Sequence, residues 1–276
     1  MKPLHEQVIL ITGATDGLGK AVAIELAREG ASLLLHGRSD NKGQQTLEEI
    51  RQQTGNDKLI YYRADFAQLS EVRQFAEQIQ AQHDQLDVLV NNAGLGVEAY
   101  RHVSHDGYEM TFQVDYLAPF LLTHLLEPLI VQSAPARIIN ISSAGQAPID
   151  FKDVMLERHY DGVQAYCQAK LAEVMLTFDL AAQLGKQEVT VNCLHPASYM
   201  PTKIVVGLFS TQSTIQDGVR SVVRLITSSE LDGVTGRYFF MEQEARANAQ
   251  AYDEHARDRL RTLAERLTGL APGRPA

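Results

Sequence analysis

Short, unbroken apolar runs alternate along this chain with longer stretches whose apolar residues recur every three or four positions. The short runs lie at 8–12, 32–36, 59–62, 88–90, 137–141, 188–193 and 236–240. They lack the in-out alternation of a half-exposed strand, as expected for strands covered on both faces. The longer stretches lie at 20–29, 42–54, 69–82, 112–131, from before Tyr166 to about 184, and at 252–267. In the first of these, Ala21, Ile24, Leu26 and Ala27 mark the apolar positions. Strands alternating with helices predict an α/β fold: a doubly wound, parallel, seven-stranded sheet with helices on both faces. Right-handed crossovers would bring the turns at 13–19, 37–38, 65–66 and 91–94 to one edge of that sheet, where ligands bind. The stretch at 146–161 is a connection of mixed character. The apolar patch at 205–209 reads equally as substrate lid or as core packing, and 271–276 as a frayed tail. No repeat or linker divides the chain, so residues 1–276 are expected to form one domain.

Composition narrows this modestly. A chain of 276 residues with 45% hydrophobic content is long enough for one full core. No apolar run approaches the roughly 20 residues of a membrane span, and residues 1–7 lack the shape of a signal peptide. The net charge of −9 disfavours sequence-independent binding to nucleic acid. Cys167 and Cys193 form no disulfide framework and read as reduced thiols of a cytoplasmic protein. The nine histidines are scattered without zinc spacing, so no metal is expected. His124, in an apolar helix, reads as a satisfied core residue, and His195 as a packing residue.

The first strand runs directly into Thr12-Gly-Ala-Thr-Asp-Gly-Leu-Gly19 and then a helix. Strand, glycine-rich turn and helix N-terminus make a phosphate cradle, because the free amides and the helix dipole favour an anion. The second strand ends at Gly37-Arg38-Ser39, where a doubly wound fold places the adenosine ribose. An acidic residue there would bind a 2′-hydroxyl; a guanidinium can pair with a 2′-phosphate. A solvated loop arginine is the bland alternative. Asp40 competes for the ribose, but Ser39 and Asp40 read more naturally as a helix start.

Tyr166 and Lys170 stand one helical turn apart on one face. A cation beside a phenol favours the phenolate and lets it exchange a proton nearer neutrality. Alone, such a pair is more often an amphipathic surface pair. In the 112–131 helix, the carbonyl of Asp115 should lack its partner, since residue 119 is a proline without an amide hydrogen.

Taken together, Thr12-Gly-x-x-x-Gly-x-Gly19, Asn91-Asn-Ala-Gly94, Ser143 and Tyr166-x-x-x-Lys170 resemble the single-domain short-chain dehydrogenase/reductase family over almost the whole chain. The stretch from Asp106 to Thr123, Ala165-Tyr-Cys-Gln-Ala-Lys-Leu-Ala172 and the ending Asp258-Arg-Leu…Leu270 look like its retinol-dehydrogenase-like and WW-domain-oxidoreductase-like branch. The long interval from Ser143 to Tyr166 suits the same branch.

The resemblance implies a Rossmann fold and a set of roles. Ser143 would bond the substrate oxygen and Tyr166 would give or take the proton. Lys170 would hold the nicotinamide ribose and lower the Tyr166 pKa. Gly13, Thr15, Asp16, Gly17, Leu18 and Gly19 would surround the pyrophosphate and adenosine, and Arg38 the 2′-phosphate. Asp65 and Phe66 would flank the adenine, while Asn92, Ala93 and Gly94 line the ribose. Pro196 and Thr202 would border the nicotinamide. Two positions depart from the family pattern. Asp115 replaces its catalytic asparagine, and Pro196-Ala197 replaces its usual Pro-Gly. If the main-chain carbonyl of residue 115 holds the relay water, Asp115→Asn should change turnover by less than about tenfold.

The expected activity is hydride transfer between NADP(H), rather than NAD(H), and a secondary alcohol or carbonyl. Tyr199, Met200, Leu208 and Phe209 suggest an apolar small-molecule substrate. Homo-oligomerisation through the two long helices is implied by resemblance. The alternative is a non-catalytic dinucleotide sensor on the same fold, which Asp115 keeps open. A dehydratase or epimerase is disfavoured by the short C-terminal region.

Overall fold

The computed structural model describes residues 1–205 and 210–271. Eight strands form one sheet: β1 (Val8–Ile11), β2 (Ser32–Gly37), β3 (Leu59–Arg63), β4 (Val88–Asn91), β5 (Ala136–Ile141), β6 (Val189–His195), β7 (Arg237–Phe240) and β8 (Gln243–Ala245). Their order is β3-β2-β1-β4-β5-β6-β7-β8. The first seven are mutually parallel, with Leu10 of β1 level with Leu34 of β2 and Leu89 of β4. Chain direction across the sheet reverses between β1 and β4, which opens a crevice at the strand C-termini. The doubly wound α/β architecture expected from the hydrophobic pattern is therefore present.

Eight strands stand where seven were expected, because β8 turns back antiparallel on β7, with Phe240 opposite Gln243. The two-residue turn uses Met241 at φ +55. Glycine or asparagine normally marks such a hairpin, so Met-Glu concealed it.

The helices are α1 (Gly17–Arg28), α2 (Asp40–Thr54), α3 (Leu69–Gln82), α4 (Met110–Gln132), α5 (Gly162–Leu184), α6 (Ile215–Thr227) and α7 (Glu254–Thr268). One face of the sheet is covered by α3, α4, α5 and α7 around Phe75, Phe112, Tyr116 and Phe120. The other is covered by α1, α2 and α6 around Val22, Leu26, Ile50 and Val222. The hydrophobic pattern had not singled out α6. Its signals were nonetheless present. Thr214 and Asp217 form a reciprocal capping box, and Val219, Val222, Leu225 and Ile226 are buried at helical spacing.

Ser39 caps α2 by accepting from the Lys42 amide, so Asp40 is the first helical residue, as its helix-start reading anticipated. The α4 helix has the length and apolarity to cross a membrane, but 72% of its most apolar window is buried inside the fold, as in a core helix. Between Gln113 and Leu117 it widens into a π turn, in which the Ala118 amide reaches back to the Gln113 carbonyl. This widening spans Asp115, the residue whose carbonyl Pro119 deprives of its ordinary partner. The α5 helix starts under an Asp161 cap and carries α7 on its outer side. There Asp179 pairs with Arg257 at 2.8 Å and Arg261 at 3.3 Å. The face on which family resemblance would place an oligomer contact is thus partly taken by the chain's own last helix.

His36 of β2 fastens the first turn to the sheet. Its Nδ1 accepts from the Gly13 amide at 3.3 Å, and its Nε2 donates to the Ala64 carbonyl at 3.0 Å. Both bonds need the neutral imidazole. Burial lowers its pKa to about 4, against a weaker upward pull from the Ala64 carbonyl. The unfolded chain would take up that proton near pH 6.5. Stability should therefore fall as pH drops from about 6.5 towards 4, by a few kcal/mol from this residue. Denaturant midpoints measured across that window should slope less steeply for His36→Gln than for the native chain. Equal slopes would show that His36 does not carry the effect.

Candidate active site

The strand C-termini meet along one edge through a series of close contacts. Thr12, just past β1, accepts at Oγ1 from the Asn92 and Ala93 amides, both at 2.9 Å. Asn92 Nδ2 returns bonds to the carbonyls of Thr12 at 2.8 Å and Gly13 at 3.2 Å. A Cβ at Gly19 would stand 2.4 Å from Asn92 Nδ2 and 2.5 Å from the Gly13 carbonyl oxygen. Only a bare backbone fits there, which is the requirement of a phosphate cradle. Asp16 caps α1 by accepting from the Gly17 amide at 2.9 Å. The dinucleotide phosphates would face the first amides of α1. The Leu18 side chain points away into the core, so any contribution from Leu18 is through its amide. Asn92 likewise spends its side chain on the turn rather than on a ribose.

At the end of β2, a Cβ on Gly37 would meet Thr15 Cγ2 at 2.7 Å. No acidic side chain fits at that position without displacing Thr15. Arg38 beside it is exposed and makes no salt bridge among the described residues. Lys203 pairs with Asp16 across the cleft, and Lys42 and Arg38 lie within electrostatic reach of that pair. Together these cations make the adenosine end of the edge positive. Asp65 accepts from the Ala67 amide at 3.0 Å and keeps some exposure there. Phe66 corrects its sequence-based role. Its ring is buried and stacks on His36 at 4.3 Å, so any contact with an adenine would come from its backbone.

The nicotinamide end is closed by the segment after β6. Pro196 is buried, and Thr202 sits against Gly17, its Cγ2 3.5 Å from where a Cβ would lie. An open cleft of about 390 Å³ runs between Asp16, Gly17, Lys20, Pro201, Thr202 and Lys203. Met200 is also corrected. It is buried with its sulfur against Gly218 of α6, and therefore serves the core rather than a ligand. Tyr199 is partly exposed at φ +48. Leu208 and Phe209 lie outside the described residues. His195 bonds Ser198 at 3.0 Å beside the Phe240 ring, a packing role. His124 is only partly buried, and its Nδ1 contacts the Phe120 carbonyl at 2.7 Å. Cys167 and Cys193 are free thiols. Among the described residues no group of His, Cys, Asp or Glu could hold a metal ion.

At the centre, Ser143 follows β5, and its Oγ accepts from the Gly145 amide at 3.0 Å. Tyr166 on α5 faces it. Lys170 Nζ lies 5.7 Å from the Tyr166 ring centre and donates to the Ile141 carbonyl at 3.2 Å. The same ammonium is 3.1 Å from Asp115 Oδ2 and 2.9 Å from Glu173 Oε2. Both oxygens are buried at ion-pair distance from it. Asp115 Oδ1 accepts from the Leu95 amide at 2.7 Å. A Cβ on Gly94 would be 3.1 Å from Asp115 Oδ2 and 3.3 Å from Nζ, so this glycine lets the loop close on the pair. The Asp115 side chain is thus engaged with Lys170 and the Leu95 amide, a role whose sign the sequence had left open.

Burial raises the Tyr166 pKa, and the Lys170 cation and a Ser143 hydrogen bond only partly offset it. Lys170 pulls the Tyr166 pKa down as expected, but burial outweighs it, and Asp115 and Glu173 add to burial, so the phenol ends above its ordinary value. Burial alone would lower the Lys170 pKa, but Asp115, Glu173 and Tyr166 together raise it. Burial pushes Glu173 up to about 8 despite Lys170. One buried cation between two carboxylates is neutral only if one carboxyl keeps its proton. Glu173, His36, Lys42 and Lys203 are site residues the sequence reading missed. The spacing of Glu173, three residues past Lys170, was the available signal.

Comparison with known proteins places this geometry. The short chain dehydrogenase family model matches residues 7–213. Mouse retinol dehydrogenase 13 is 35% identical over 294 aligned positions, covering 97% of this chain and 87% of that protein. Human retinol dehydrogenase 14 is 35% identical over 296, covering 97% and 88%. A short chain dehydrogenase from Escherichia coli, solved with NADPH, superposes with a TM-score of 0.70 at 27% identity, covering 86% of this chain and 97% of that one. The chain belongs to the short-chain dehydrogenase family of oxidoreductases, in its retinol-dehydrogenase-like branch.

Proposed function

We propose that the protein is an NADP(H)-dependent oxidoreductase that interconverts an apolar secondary alcohol and its carbonyl. The observation that carries this is the convergence of Ser143, Tyr166 and Lys170 beside a glycine-lined phosphate cradle. When bound, the nicotinamide supplies or accepts the hydride. The protein's part is alignment and proton handling. Ser143 Oγ would donate to the substrate oxygen, and the Tyr166 hydroxyl would deliver a proton to it in reduction or take one in oxidation. Lys170, positioned by Asp115, Glu173 and the Ile141 carbonyl, would hold the nicotinamide ribose.

The adenosine end supports the 2′-phosphorylated cofactor. Gly37 has no room for a carboxylate, while Arg38, Lys42 and Lys203 gather positive charge. The NADPH in the Escherichia coli neighbour agrees. Two relatives named for retinol, an apolar alcohol, support an apolar substrate. We also propose a cytoplasmic location, supported by the two free thiols, and a homo-oligomer whose contact accommodates α7 on the face of α5. A sensor that binds the dinucleotide without turnover is the second reading. It draws on Asp115, whose carboxylate competes with the ribose for Lys170.

Titration with both reduced cofactors should show tighter NADPH binding. Arg38→Ala should weaken NADPH by about tenfold to a hundredfold, the size of a charge-assisted hydrogen bond, and leave NADH nearly unchanged. Equal or better NADH binding by the native protein would sink the cofactor assignment.

NADPH oxidation should be followed against a panel of hydrophobic carbonyls. Tyr166→Phe should slow turnover by at least about a hundredfold while keeping cofactor affinity. A comparable rate in the Phe variant would overturn the acid–base assignment. A native protein that binds NADPH but turns over no member of the panel would favour the sensor.

A further inference from the structure

We infer that the Asp115–Lys170–Glu173 cluster withholds from Tyr166 the phenolate stabilisation that a lone Lys170 would give, so that carbonyl reduction, which uses the phenol, is open near neutral pH while oxidation, which needs the phenolate, is favoured only in the alkaline range. Asp115 offsets the ammonium from 3.1 Å, and Glu173, at 2.9 Å, is the positioning residue that deepens the effect once it ionises. The inference rests on the reading of Tyr166 as the acid–base group.

The geometry decides the sign. Lys170 supplies the positive charge in this pocket. Its ammonium is 2.9 Å from one buried carboxylate and 3.1 Å from another, and lies 5.7 Å from the centre of the Tyr166 ring. Side chains of all three cluster members are almost fully enclosed, at 7%, 0% and 2% exposure, so water screens them little. A lone ammonium would favour the phenolate. An ammonium with one ionised carboxylate presents no net charge, and with two it presents a net negative charge. The phenolate therefore loses the stabilisation that the Tyr-Lys spacing alone would predict.

No neighbouring element restores it. Among the described residues, Glu109 faces Asp115 from the start of α4. Cys193 faces Glu173 from β6, and Tyr238 faces Tyr166 from β7. None of these can carry a positive charge. Ser143, after β5, contributes only a neutral hydrogen bond. As pH rises, Glu173 releases its proton before Tyr166 does, because it titrates near 8 while the phenol is held above its ordinary value. The Glu173 anion then holds the Tyr166 proton more tightly. In reduction, the Tyr166 O–H bond breaks as a new O–H bond forms on the substrate oxygen. In oxidation, the phenolate must first exist to take that proton.

The test is a pH titration of Tyr166 by carbon-13 NMR of ring-labelled tyrosine, with its signal assigned by its loss in Tyr166→Phe. This readout needs no substrate. Glu173→Gln keeps the shape and removes one negative charge. It should lower the Tyr166 midpoint by about one pH unit, the order expected for one charge at this range. Asp115→Asn, which can keep the Leu95 bond, should lower it as well and carries the test if Glu173→Gln fails to fold. With any alcohol–carbonyl pair that the native enzyme accepts, the oxidative rate above about pH 8, where Glu173 is ionised, should rise about tenfold relative to the reductive rate in Glu173→Gln, and the two proteins should converge near neutral pH. A merely structural role for Glu173 would lower both rates together and leave the midpoint in place. An unmoved or raised midpoint in the folded variants overturns this inference, even if Tyr166→Phe is inactive and the proposed function stands. An active Tyr166→Phe overturns the function reading instead, whatever the midpoint does.

Discussion

A buried ammonium must be surrounded by acceptors, and much of this molecule is arranged to meet that demand at Lys170. The α5 helix delivers the residue. The end of β5 offers the Ile141 carbonyl, and the π turn of α4 brings Asp115 into range. Gly94 leaves the loop after β4 without a side chain where one would strike the ion pair. Glu173 closes the remaining side from the same helix. Four separate elements are thus tied to one cation, and their relative positions fix where Tyr166 and Ser143 meet. The same demand explains why an acidic residue at 115 is tolerated: it is paired with Lys170 and with the Leu95 amide.

The cofactor edge depends on a different constraint, the absence of side-chain volume. Gly19 packs against Asn92 and the Gly13 carbonyl, and Gly37 packs against Thr15. Thr12 and Asn92 bind the turn after β1 to the turn after β4, and neutral His36 binds it to β2 and β3. Several residues that family resemblance assigns to the ligand therefore act one step behind it. They hold the backbone whose amides and carbonyls would make the contacts. Leu18, Phe66 and Asn92 belong to this group. The positive side chains Arg38, Lys42 and Lys203 come from three segments and are gathered only by the fold.

The alternation of apolar runs with helical periodicity was enough to determine the seven parallel strands, six of the seven helices around them and the shared edge, with α6 left out, because burial on both faces leaves no other pattern for those strands. The spacing of the glycine-rich turn and of Tyr166 to Lys170 was legible for the same kind of reason: each is local, and local geometry follows from local sequence. The β7–β8 hairpin was not legible, since its turn at Met241 uses no residue that favours positive φ. Which way Phe66 and Met200 point was not legible either, because an aromatic or thioether near a site serves a core equally well. The charge balance around Tyr166 was decided only in three dimensions. Asp115 and Glu173 are 58 positions apart in the chain and meet at one ammonium, and electrostatic energy depends on distance in space. Sequence determined that a phenol and an ammonium would share a helix face; tertiary structure decided that two carboxylates would pair with the same ammonium.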